Sequence, residues 1–443
     1  MKAIVIGGVA AGMSAASKLR RLQPDAEITV YEKGGFLSYG ACGLPYYIGD
    51  FNTDPQKLIA RTPEQYREMN IDCRLYHEAV KVDPAARKVT VRNLRTGEML
   101  EDAYDALMIA VGCNSVIPRF PGADLPSVFT LRSMEDGILL REIAHLNQVR
   151  HVAVIGGGYI GVEVAEALVH LDKQVTLIEG GPRVLNTFEP EFSELAAQEL
   201  ERNGVRVMIQ SPVTEIRENG SDRSVLTGSG EVRCDVVVMA VGVLPATGFL
   251  KDTGIRTARN GALLVDREMR TSLDHVWAAG DCAVVYHRIM EEDYFIPLGT
   301  VANKCGRLAG ENMAGSHAKF IGALGTAAIK VFGMEFGRTG LTERDAQRLG
   351  IRYKAKLVTA PDHPAYYPDP EKLTIKLLYD ERTRRLLGAN VCGRKNAVLR
   401  TDMFAIAIHA GMSTEELGMV DLAYAPPFAS VWDAVHIAAN AAK

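Results

Sequence analysis

Two glycine-rich turns, each set between a predicted strand and a predicted helix, constrain the fold of this 443-residue chain more than any other feature. The first is Gly7-Gly8-Val9-Ala10-Ala11-Gly12, which follows an apolar strand at residues 2–7 and opens an alanine-rich helix that ends near Leu22. A second strand ends at Glu32, twenty residues after Gly12. This order is typical of a βαβ unit that binds a dinucleotide, with the carboxylate beside the adenosine ribose. The middle glycine of G-x-G-x-x-G is Val9 here, so the flanking elements carry much of the prediction.

The second turn, Gly156-Gly157-Gly158-Tyr159-Ile160-Gly161, has the complete G-x-G-x-x-G pattern. It follows a predicted strand at 151–155 and opens a helix at 162–171, and Glu179 stands eighteen residues after the last glycine. The three glycines of the pattern permit a tight turn, let a pyrophosphate approach the backbone and pack the helix on the strand. Glu179 favours a free ribose 2′-hydroxyl, and hence NADH, because a 2′-phosphate would face a like charge. Arg183 is near enough in sequence to weaken that preference.

Two dinucleotide sites in one chain imply one dinucleotide that is held as a prosthetic group and a second that binds and leaves. Two further apolar strands, within 105–112 and 235–242, resemble each other, and each closes on a small-residue turn. Asp281 follows another strand, where a carboxylate can bond the ribityl hydroxyls of a flavin. The alternative is that Asp281 caps a following helix, because aspartate is a preferred N-cap residue.

Composition and charge are those of an ordinary globular protein, with 47% hydrophobic residues, 23% charged residues and a net charge of −4. This balance gives no reason to expect nucleic acid or an anionic membrane as a partner. No apolar run of about 20 residues could span a bilayer, and no export signal precedes the first strand. Seven cysteines are scattered without disulfide-framework or zinc spacing. We therefore expect a cytoplasmic protein without a metal site.

One cysteine stands in a distinctive segment, Ser38-Tyr39-Gly40-Ala41-Cys42-Gly43-Leu44-Pro45-Tyr46-Tyr47, shortly after the first nucleotide turn. The nearest others, Cys73 and Cys113, are too far along the chain to form a Cys-x-x-Cys pair. A lone thiol beside a flavin accepts electrons only in two forms: as a disulfide with a small-molecule thiol, or as a sulfenic acid.

Taken in this order, these segments resemble the pyridine nucleotide-disulfide oxidoreductases over essentially the whole chain. The resemblance implies FAD in the first nucleotide fold, NAD(P)H in the second and a C-terminal dimerisation domain, hence a homodimer. The expected fold class is α/β, with two Rossmann-like dinucleotide-binding domains and a C-terminal α+β dimerisation domain. We expect the FAD-binding domain at 1–112 and 245–320, the NAD(P)H-binding domain at 113–244 and the dimerisation domain at 321–443. In the last, short strands at 327–332, 353–358, 373–378 and 386–391 precede helices near 402–410 and 432–441.

The resemblance also implies which residues contact each cofactor. For FAD these are Gly7, Gly8, Ala11, Gly12, Glu32, Lys33, Val80, Ala110, Gly112, Arg132, Asp281 and Ala302. For NAD(P)H these are Gly156, Gly158, Tyr159, Ile160, Gly161, Glu179 and Gly242.

The lone Cys42 is typical of the single-cysteine branch, which contains coenzyme A-disulfide reductases, NADH oxidases, NADH peroxidases and polysulfide or persulfide reductases. Peroxidases and water-forming oxidases carry a histidine in the first glycine turn, where this chain has Ala10. Coenzyme A-disulfide reductases carry Tyr-Tyr-Pro and Ala-Tyr-Ala-Pro-Pro segments, which this chain also has. The resemblance implies that Tyr366 and Tyr424 lie beside Cys42 and assist the leaving thiolate, with Tyr367 in reserve for Tyr366. The alternative is that all three tyrosines only pack in the dimer interface.

Coenzyme A carries phosphates, so its site needs cations and backbone donors. The resemblance places Ser38, Arg21 and Asn303 near coenzyme A. Further basic residues extend this substrate set: Lys18, Arg61, Lys304 and Arg307. A lone basic residue is more often a solvated surface charge, so this prediction depends on the cluster.

The expected function is the transfer of hydride from NAD(P)H through FAD to Cys42, which reduces coenzyme A disulfide through a mixed disulfide with coenzyme A. One alternative is an NADH oxidase or a polysulfide or coenzyme A-persulfide reductase that uses the same cysteine. The other is a non-enzymatic, redox-sensing flavoprotein, which would need no thiol at the flavin.

Overall fold

The computed structural model describes residues 1–220 and 222–443. The first part of the chain forms most of one parallel sheet and a small antiparallel sheet beside it. Its elements are β1 (Lys2–Ile6), α1 (Ala10–Leu22), β2 (Glu27–Glu32), α2 (Leu44–Ile48), α3 (Pro63–Glu68), β3 (Ile71–Leu75), β4 (His77–Asp83), β5 (Lys88–Asn93), β6 (Met99–Ala103), β7 (Ala106–Ile109) and β8 (Cys113–Ser115). Strand β1 lies between β2 and β7, parallel to both, and β4, β5 and β6 form the antiparallel sheet.

The next part repeats this plan. Its elements are β9 (Val128–Thr130), α4 (Met134–Ala144), β10 (His151–Ile155), α5 (Tyr159–His170), β11 (Gln174–Ile178), α6 (Pro190–Arg202), β12 (Arg206–Met208), β13 (Val213–Asn219), β14 (Asp222–Thr227), β15 (Gly230–Cys234), β16 (Val236–Met239) and β17 (Val243–Pro245). A parallel sheet has the order β12-β11-β10-β16-β9, and β13, β14 and β15 form an antiparallel sheet. Strands β8 and β17 pair where the chain crosses between the two sheets. This pairing supports the domain boundaries that we propose, with crossings near residues 113 and 245.

The chain then returns to the first sheet through β18 (Val276–Ala278), β19 (Val285–His287), β20 (Glu292–Tyr294) and α7 (Gly299–Met313). Strand β18 pairs in parallel with β7, which gives the order β18-β7-β1-β2-β3. Asp281 lies in the turn after β18, and no helix begins there, because the chain turns at Gly280 and continues in an extended segment. The expectation that Asp281 caps a helix is therefore wrong.

The last domain places helices against one five-stranded antiparallel sheet. Its elements are β21 (Ala327–Val331), β22 (Met334–Gly340), α8 (Glu343–Arg348), β23 (Tyr353–Pro361), β24 (Lys372–Asp380), β25 (Leu386–Gly393), α9 (Ala397–Ala410), α10 (Thr414–Leu417) and α11 (Ala434–Ala441). The strand order is β21-β22-β25-β24-β23. The expected α+β class is confirmed, although strand β22 was not expected and α9 begins five residues earlier than the prediction.

The burial of the central strands agrees with the parallel arrangement of both nucleotide sheets. Strand β1 buries its last four residues and β10 does the same, since helices cover both faces of a parallel sheet. The carboxyl ends of both strands then open into the glycine turns. Across the described residues, no helix combines the length and the apolar character that a membrane span requires.

Candidate active site

The first glycine turn closes tightly on the neighbouring strand. Gly7 has φ +104°, and a Cβ there would lie 2.2 Å from the carbonyl oxygen of Ala110, so a larger residue does not fit. The Glu32 carboxylate accepts one hydrogen bond from the Gly8 N–H (2.7 Å) and one from the Gly34 N–H (2.7 Å). Each carboxylate oxygen keeps a free lone pair for a ribose hydroxyl.

The second glycine turn has the same geometry in the other nucleotide fold. Gly156 has φ +109°, and a Cβ there would lie 2.3 Å from the carbonyl oxygen of Ala240. Glu179 accepts hydrogen bonds from the N–H groups of Gly157 (2.7 Å) and Gly181 (2.5 Å). The two turns are thus structural repeats, and each carries its acidic residue against the turn.

Both helices that follow the glycine turns begin without a side-chain cap. The N-cap residue is Val9 for α1 and Gly158 for α5, and neither offers a side-chain acceptor. Helix α4, in contrast, has a capping box formed by Ser133 and Asp136. The uncapped N–H groups and the helix dipole suit a dinucleotide pyrophosphate, so the turns fit the two predicted cofactors.

Several predicted FAD contacts meet at the carboxyl end of the first sheet. A Cβ on Gly280 would lie 3.0 Å from the Ala11 Cβ and 3.7 Å from the Ala302 Cβ, so these segments converge. Arg132 donates from Nη2 to the carbonyl oxygen of Val111 (3.1 Å), next to Gly112.

Asp281 is the acidic group at this position. Burial raises the pKa of its carboxyl, and the charge of Arg132 opposes that shift. Among the described residues, no side chain or backbone N–H is found hydrogen-bonded to this carboxylate. A half-buried carboxylate without a protein donor fits the hydroxyl donors of a flavin ribityl chain.

The other predicted cofactor residues lie apart from these contacts. Lys33 is exposed, and Val80 sits at a β-bulge in β4. Tyr159 hydrogen-bonds through its hydroxyl to Thr187 (3.3 Å), Ile160 is exposed, and Gly242 follows β16 with φ +123°. Arg183 lines a cavity of about 270 Å³ between the second nucleotide fold and the last domain, together with Lys376.

Cys42 lies in a 3₁₀ turn, Ala41–Gly43, that leads directly into α2. It is exposed, whereas Cys73 is half-buried and the other five cysteines are buried. Partial burial is nevertheless the largest cause that raises the pKa of the Cys42 thiol, followed by the negative charges of Glu163 and Asp281. The negative charges of the two carboxylates disfavour a thiolate.

Glu163 is a residue of this site that the sequence analysis missed. It stands on α5, two residues after Gly161, and lies 3.5 Å from the Tyr46 hydroxyl through Oε1. Burial raises the pKa of its carboxyl to about 7, and the charge of Glu166 adds to this shift. The available signal was a pair of acidic residues, Glu163 and Glu166, within a largely apolar helix that follows a nucleotide turn.

Two of the predicted tyrosines meet. The hydroxyls of Tyr366 and Tyr424 are hydrogen-bonded at 2.8 Å, and both side chains are exposed, by 72% and 45%. Tyr367 instead packs edge-on against His363, with 5.5 Å between the ring centres. Within the described part of a single chain, neither hydroxyl is hydrogen-bonded to Cys42.

The predicted substrate residues form two groups. In the first, α1 and α7 pack side by side, with Ser14 donating to Asn303 Oδ1 (2.9 Å) and Lys18 paired with Glu311 (3.0 Å). In the second, Ser38 accepts a hydrogen bond from the Tyr66 hydroxyl (2.9 Å). Three cations that extend these groups are exposed: Arg21, Lys304 and Arg307. Arg61, also exposed, has its guanidinium 5.9 Å from the centre of the Tyr66 ring.

Comparison with known proteins gives two matches to family profiles. The profile described as "Pyridine nucleotide-disulphide oxidoreductase" matches residues 1–296, and the dimerisation domain of the same family matches residues 326–435.

Individual relatives cover the whole chain. A Pyrococcus horikoshii protein named "NAD(P)H coenzyme A polysulfide/persulfide reductase" is 36% identical over 100% of this chain and 98% of its own length. A Staphylococcus aureus "Coenzyme A disulfide reductase" is 29% identical over 100% of both chains. The solved structure of reduced CoADR-RHD from Bacillus anthracis superposes with a TM-score of 0.96 at 34% identity, and covers 99% of this chain and 79% of its own.

Proposed function

The chain belongs to the pyridine nucleotide-disulphide oxidoreductase family, and we propose that it reduces a coenzyme A-linked disulfide or persulfide at Cys42. It is an NAD(P)H-dependent flavoprotein oxidoreductase. The observation that carries the proposal is the lone exposed thiol of Cys42, in a chain whose other cysteines are buried or half-buried.

The two glycine turns would hold the two dinucleotides. We assign FAD to the turn at Gly7 with Glu32 and Asp281, and NAD(P)H to the turn at Gly156 with Glu179. When bound, the two dinucleotides would supply the hydride and an electron pair for the sulfur chemistry. The residues of the chain would bind and orient them, with backbone N–H groups for the phosphates and carboxylates for the sugar hydroxyls.

Cys42 would perform the sulfur chemistry. Its thiolate attacks one sulfur of the incoming disulfide, which forms a mixed disulfide with Cys42 and breaks the original sulfur–sulfur bond. The departing thiolate takes a proton and leaves as a thiol. An electron pair and one proton then reduce the mixed disulfide, releasing the second thiol and restoring the Cys42 thiolate.

The proton for the departing thiolate would come from the tyrosine pair. Tyr366 and Tyr424 share one hydrogen bond, so one hydroxyl of the pair can donate while the other supports it. Since neither hydroxyl is hydrogen-bonded to Cys42 within the described residues of one chain, we propose that they act at the Cys42 of a partner subunit. Helix α9 supports a homodimer, because it exposes the apolar stripe Leu399, Met403 and Ile406 in the dimerisation domain.

Coenzyme A would lie along α1 and α7. Asn303, Arg307 and Glu311 share one face of α7 at four-residue spacing, and Asn303 and Glu311 bond to α1. Arg307, between them, is exposed and available to a phosphate. Lys18 is already neutralised by Glu311, so we expect it to matter less than Arg307.

A persulfide or polysulfide of coenzyme A is the second candidate for the acceptor. The specific observation in its favour is the 36% identity to the Pyrococcus horikoshii reductase, against 29% to the Staphylococcus aureus disulfide reductase. Cys42 and the surface along α1 and α7 would serve either acceptor.

The decisive experiment compares acceptors in NADH-driven turnover. Three proteins are tested: the wild type, Cys42→Ser and the matched control Cys73→Ser. Each is given four acceptors, namely coenzyme A disulfide, coenzyme A persulfide, pantethine and oxygen. We expect a coenzyme A acceptor to have the highest kcat/KM, with turnover lost in Cys42→Ser and kept in Cys73→Ser. The mass of the non-reduced protein should show a coenzyme A adduct that a reductant removes.

Pantethine, the disulfide of pantetheine, lacks the phosphates that the surface along α1 and α7 would bind. Arg307→Gln should therefore raise KM for coenzyme A disulfide and leave KM for pantethine unchanged. Oxygen as the best acceptor, or turnover that survives in Cys42→Ser, would refute the proposal.

A further inference from the structure

The segments that carry the two hydrogen-bonded tyrosines are far apart in sequence. Tyr366 lies in the loop between β23 and β24, and Tyr424 lies 58 residues later, in the segment between α10 and α11. Within one chain both side chains are exposed, so packing of that chain around the rings does not explain their alignment. In the single chain the alignment depends on the backbone of the two segments.

One buried side chain contacts the base of both segments. Arg400, on α9, is 4% exposed, and its Nη2 donates to the carbonyl oxygens of Asp362 (2.9 Å) and Phe428 (3.5 Å). Asp362 stands four residues before Tyr366, and Phe428 stands four residues after Tyr424. A single guanidinium therefore joins the two tyrosine segments beneath their tips.

Asp433 holds this guanidinium in place. Its Oδ2 accepts from Arg400 Nη2 (2.7 Å) and its Oδ1 from Nε (3.1 Å), which is the planar, two-point geometry that arginine makes and lysine cannot. Asp433 Oδ1 also accepts from the Val435 N–H (2.8 Å) and so caps α11. The buried charge is neutralised, and the orientation of Arg400 is determined by the start of a helix.

The loop that carries Tyr366 is stiff from Asp362 outward. The Asp362 N–H donates to the carbonyl oxygen of Glu371 (2.8 Å) across the neck of the loop, and the Asp362 carboxylate accepts from the Glu371 N–H (2.8 Å). Inside the loop, His363 contacts Asp362 Oδ1 (2.8 Å) and the carbonyl oxygen of Pro368 (2.9 Å). A shift of Asp362 would therefore be transmitted to Tyr366 rather than absorbed by the loop.

We propose that Arg400, held by Asp433, is a positioning residue that sets the Tyr366–Tyr424 hydrogen bond for the sulfur step. This inference rests on the proposed role of the tyrosine pair. Arg400 contacts neither substrate nor cofactor and acts only through the two backbone carbonyls. It should therefore affect the reduction of the disulfide and leave the delivery of hydride from NADH untouched.

The test uses Arg400→Lys in the FAD-loaded enzyme. Lysine keeps the charge beside Asp433 but cannot reach the carboxylate and both carbonyls together. We expect the rate of disulfide reduction to fall on the order of 10²-fold, as for a misplaced catalytic group, with the rate of flavin reduction by NADH unchanged. Arg394→Lys is the control, since Arg394 lies in the same domain as Arg400 but pairs with Glu199 of α6 (3.3 Å), away from both tyrosine segments.

A double-mutant cycle separates positioning from general damage. Because Arg400 acts through the tyrosines, Arg400→Lys combined with Tyr424→Phe should be no slower than the slower single variant. Losses that multiply would refute the proposal, and so would an equal loss in Arg394→Lys.

The remaining outcomes distinguish this inference from the proposed function. If Tyr424→Phe and Tyr366→Phe both reduce the disulfide normally, the tyrosine role fails and the positioning role fails with it. If they slow the reaction and Arg400→Lys does not, only the positioning role fails. Should Arg400→Lys not fold, Arg400→Met with Asp433→Asn removes the ion pair without leaving a lone buried charge. If that variant does not fold either, Arg400 serves folding, and the proposal is wrong.

Discussion

Replacing Glu163 by glutamine tests the electrostatics around Cys42. Glu163 is half-buried on α5 beside Tyr46, and burial raises the pKa of its carboxyl from 4.5 to about 7. The side chain has no cation as a partner among the described residues. Glutamine has the same shape as the protonated carboxyl, so the substitution removes the titration and little else.

The size and sign of the effect follow from this pKa. At pH values below 4.5, the carboxyl is protonated in both the folded and the unfolded chain. Between pH 4.5 and about 7 the unfolded chain ionises while the folded protein keeps the proton, so stability falls as pH rises. At 1.36 kcal/mol per pKa unit, the loss reaches roughly 3 kcal/mol above pH 7. Glu163→Gln should therefore match the wild type near pH 4.5 and be more stable by up to that amount at pH 8.

The assay is urea unfolding of both proteins at pH 5, 6, 7 and 8, followed by circular dichroism. The difference between the two proteins at each pH isolates Glu163, because all other groups titrate alike in both. Glu194→Gln, on the exposed side of α6, controls for the loss of a carboxylate from a helix. The Tyr46 hydroxyl lowers the pKa of Glu163. Tyr46→Phe should therefore raise that pKa, and the loss of stability should extend to higher pH.

The reactivity of Cys42 gives a second measure of the charge on Glu163. Ionised Glu163 raises the pKa of the Cys42 thiol, so Glu163→Gln should speed the alkylation of reduced Cys42 above pH 7. A stability difference that stays flat from pH 5 to pH 8 would show that this carboxyl is already ionised at pH 5, and an unchanged rate of alkylation would show that its charge does not act on Cys42.

Three further predictions concern the cofactor, the tyrosine and the domain contact. Glu179→Ser should raise the ratio of kcat/KM for NADPH to that for NADH by roughly tenfold, because a 2′-phosphate no longer meets a like charge; an unchanged ratio in steady-state kinetics would move the specificity elsewhere. Tyr424→Phe should slow disulfide reduction by ~10²–10⁴-fold, as for a lost proton donor, and leave flavin reduction intact in stopped-flow traces; normal turnover would remove Tyr424 from the mechanism. Lys376 is buried against Glu189 (3.0 Å), Glu191 (2.9 Å) and Glu343 (2.5 Å), so Lys376→Met should cost about 3–5 kcal/mol in urea unfolding. The control Lys330→Met, whose lysine is half-exposed, should cost less, and equal losses would contradict this account.

Much of the fold was predictable because it depends on short-range patterns. Gly7 and Gly156 each need a positive φ beside a strand, and Glu32 and Glu179 each follow the next strand, so one βαβ unit specifies its own geometry. The α+β class of the last domain also followed from alternating strands. The start of α9 at Ala397 did not, because Asn396 enters the helix from a left-handed conformation that the sequence does not announce.

The candidate active site was also predictable only in part. By itself, the sequence determined that two dinucleotide folds and the Cys42 segment, with its single cysteine, share a chain, since these features are local and chemically specific. Only the tertiary structure placed Glu163 beside Tyr46, distinguished Tyr366 from Tyr367, and brought Arg400 beneath two segments distant in sequence. These contacts join residues on different elements. Their energies depend on burial and on distances of a few ångströms, which no periodicity in a single strand or helix records.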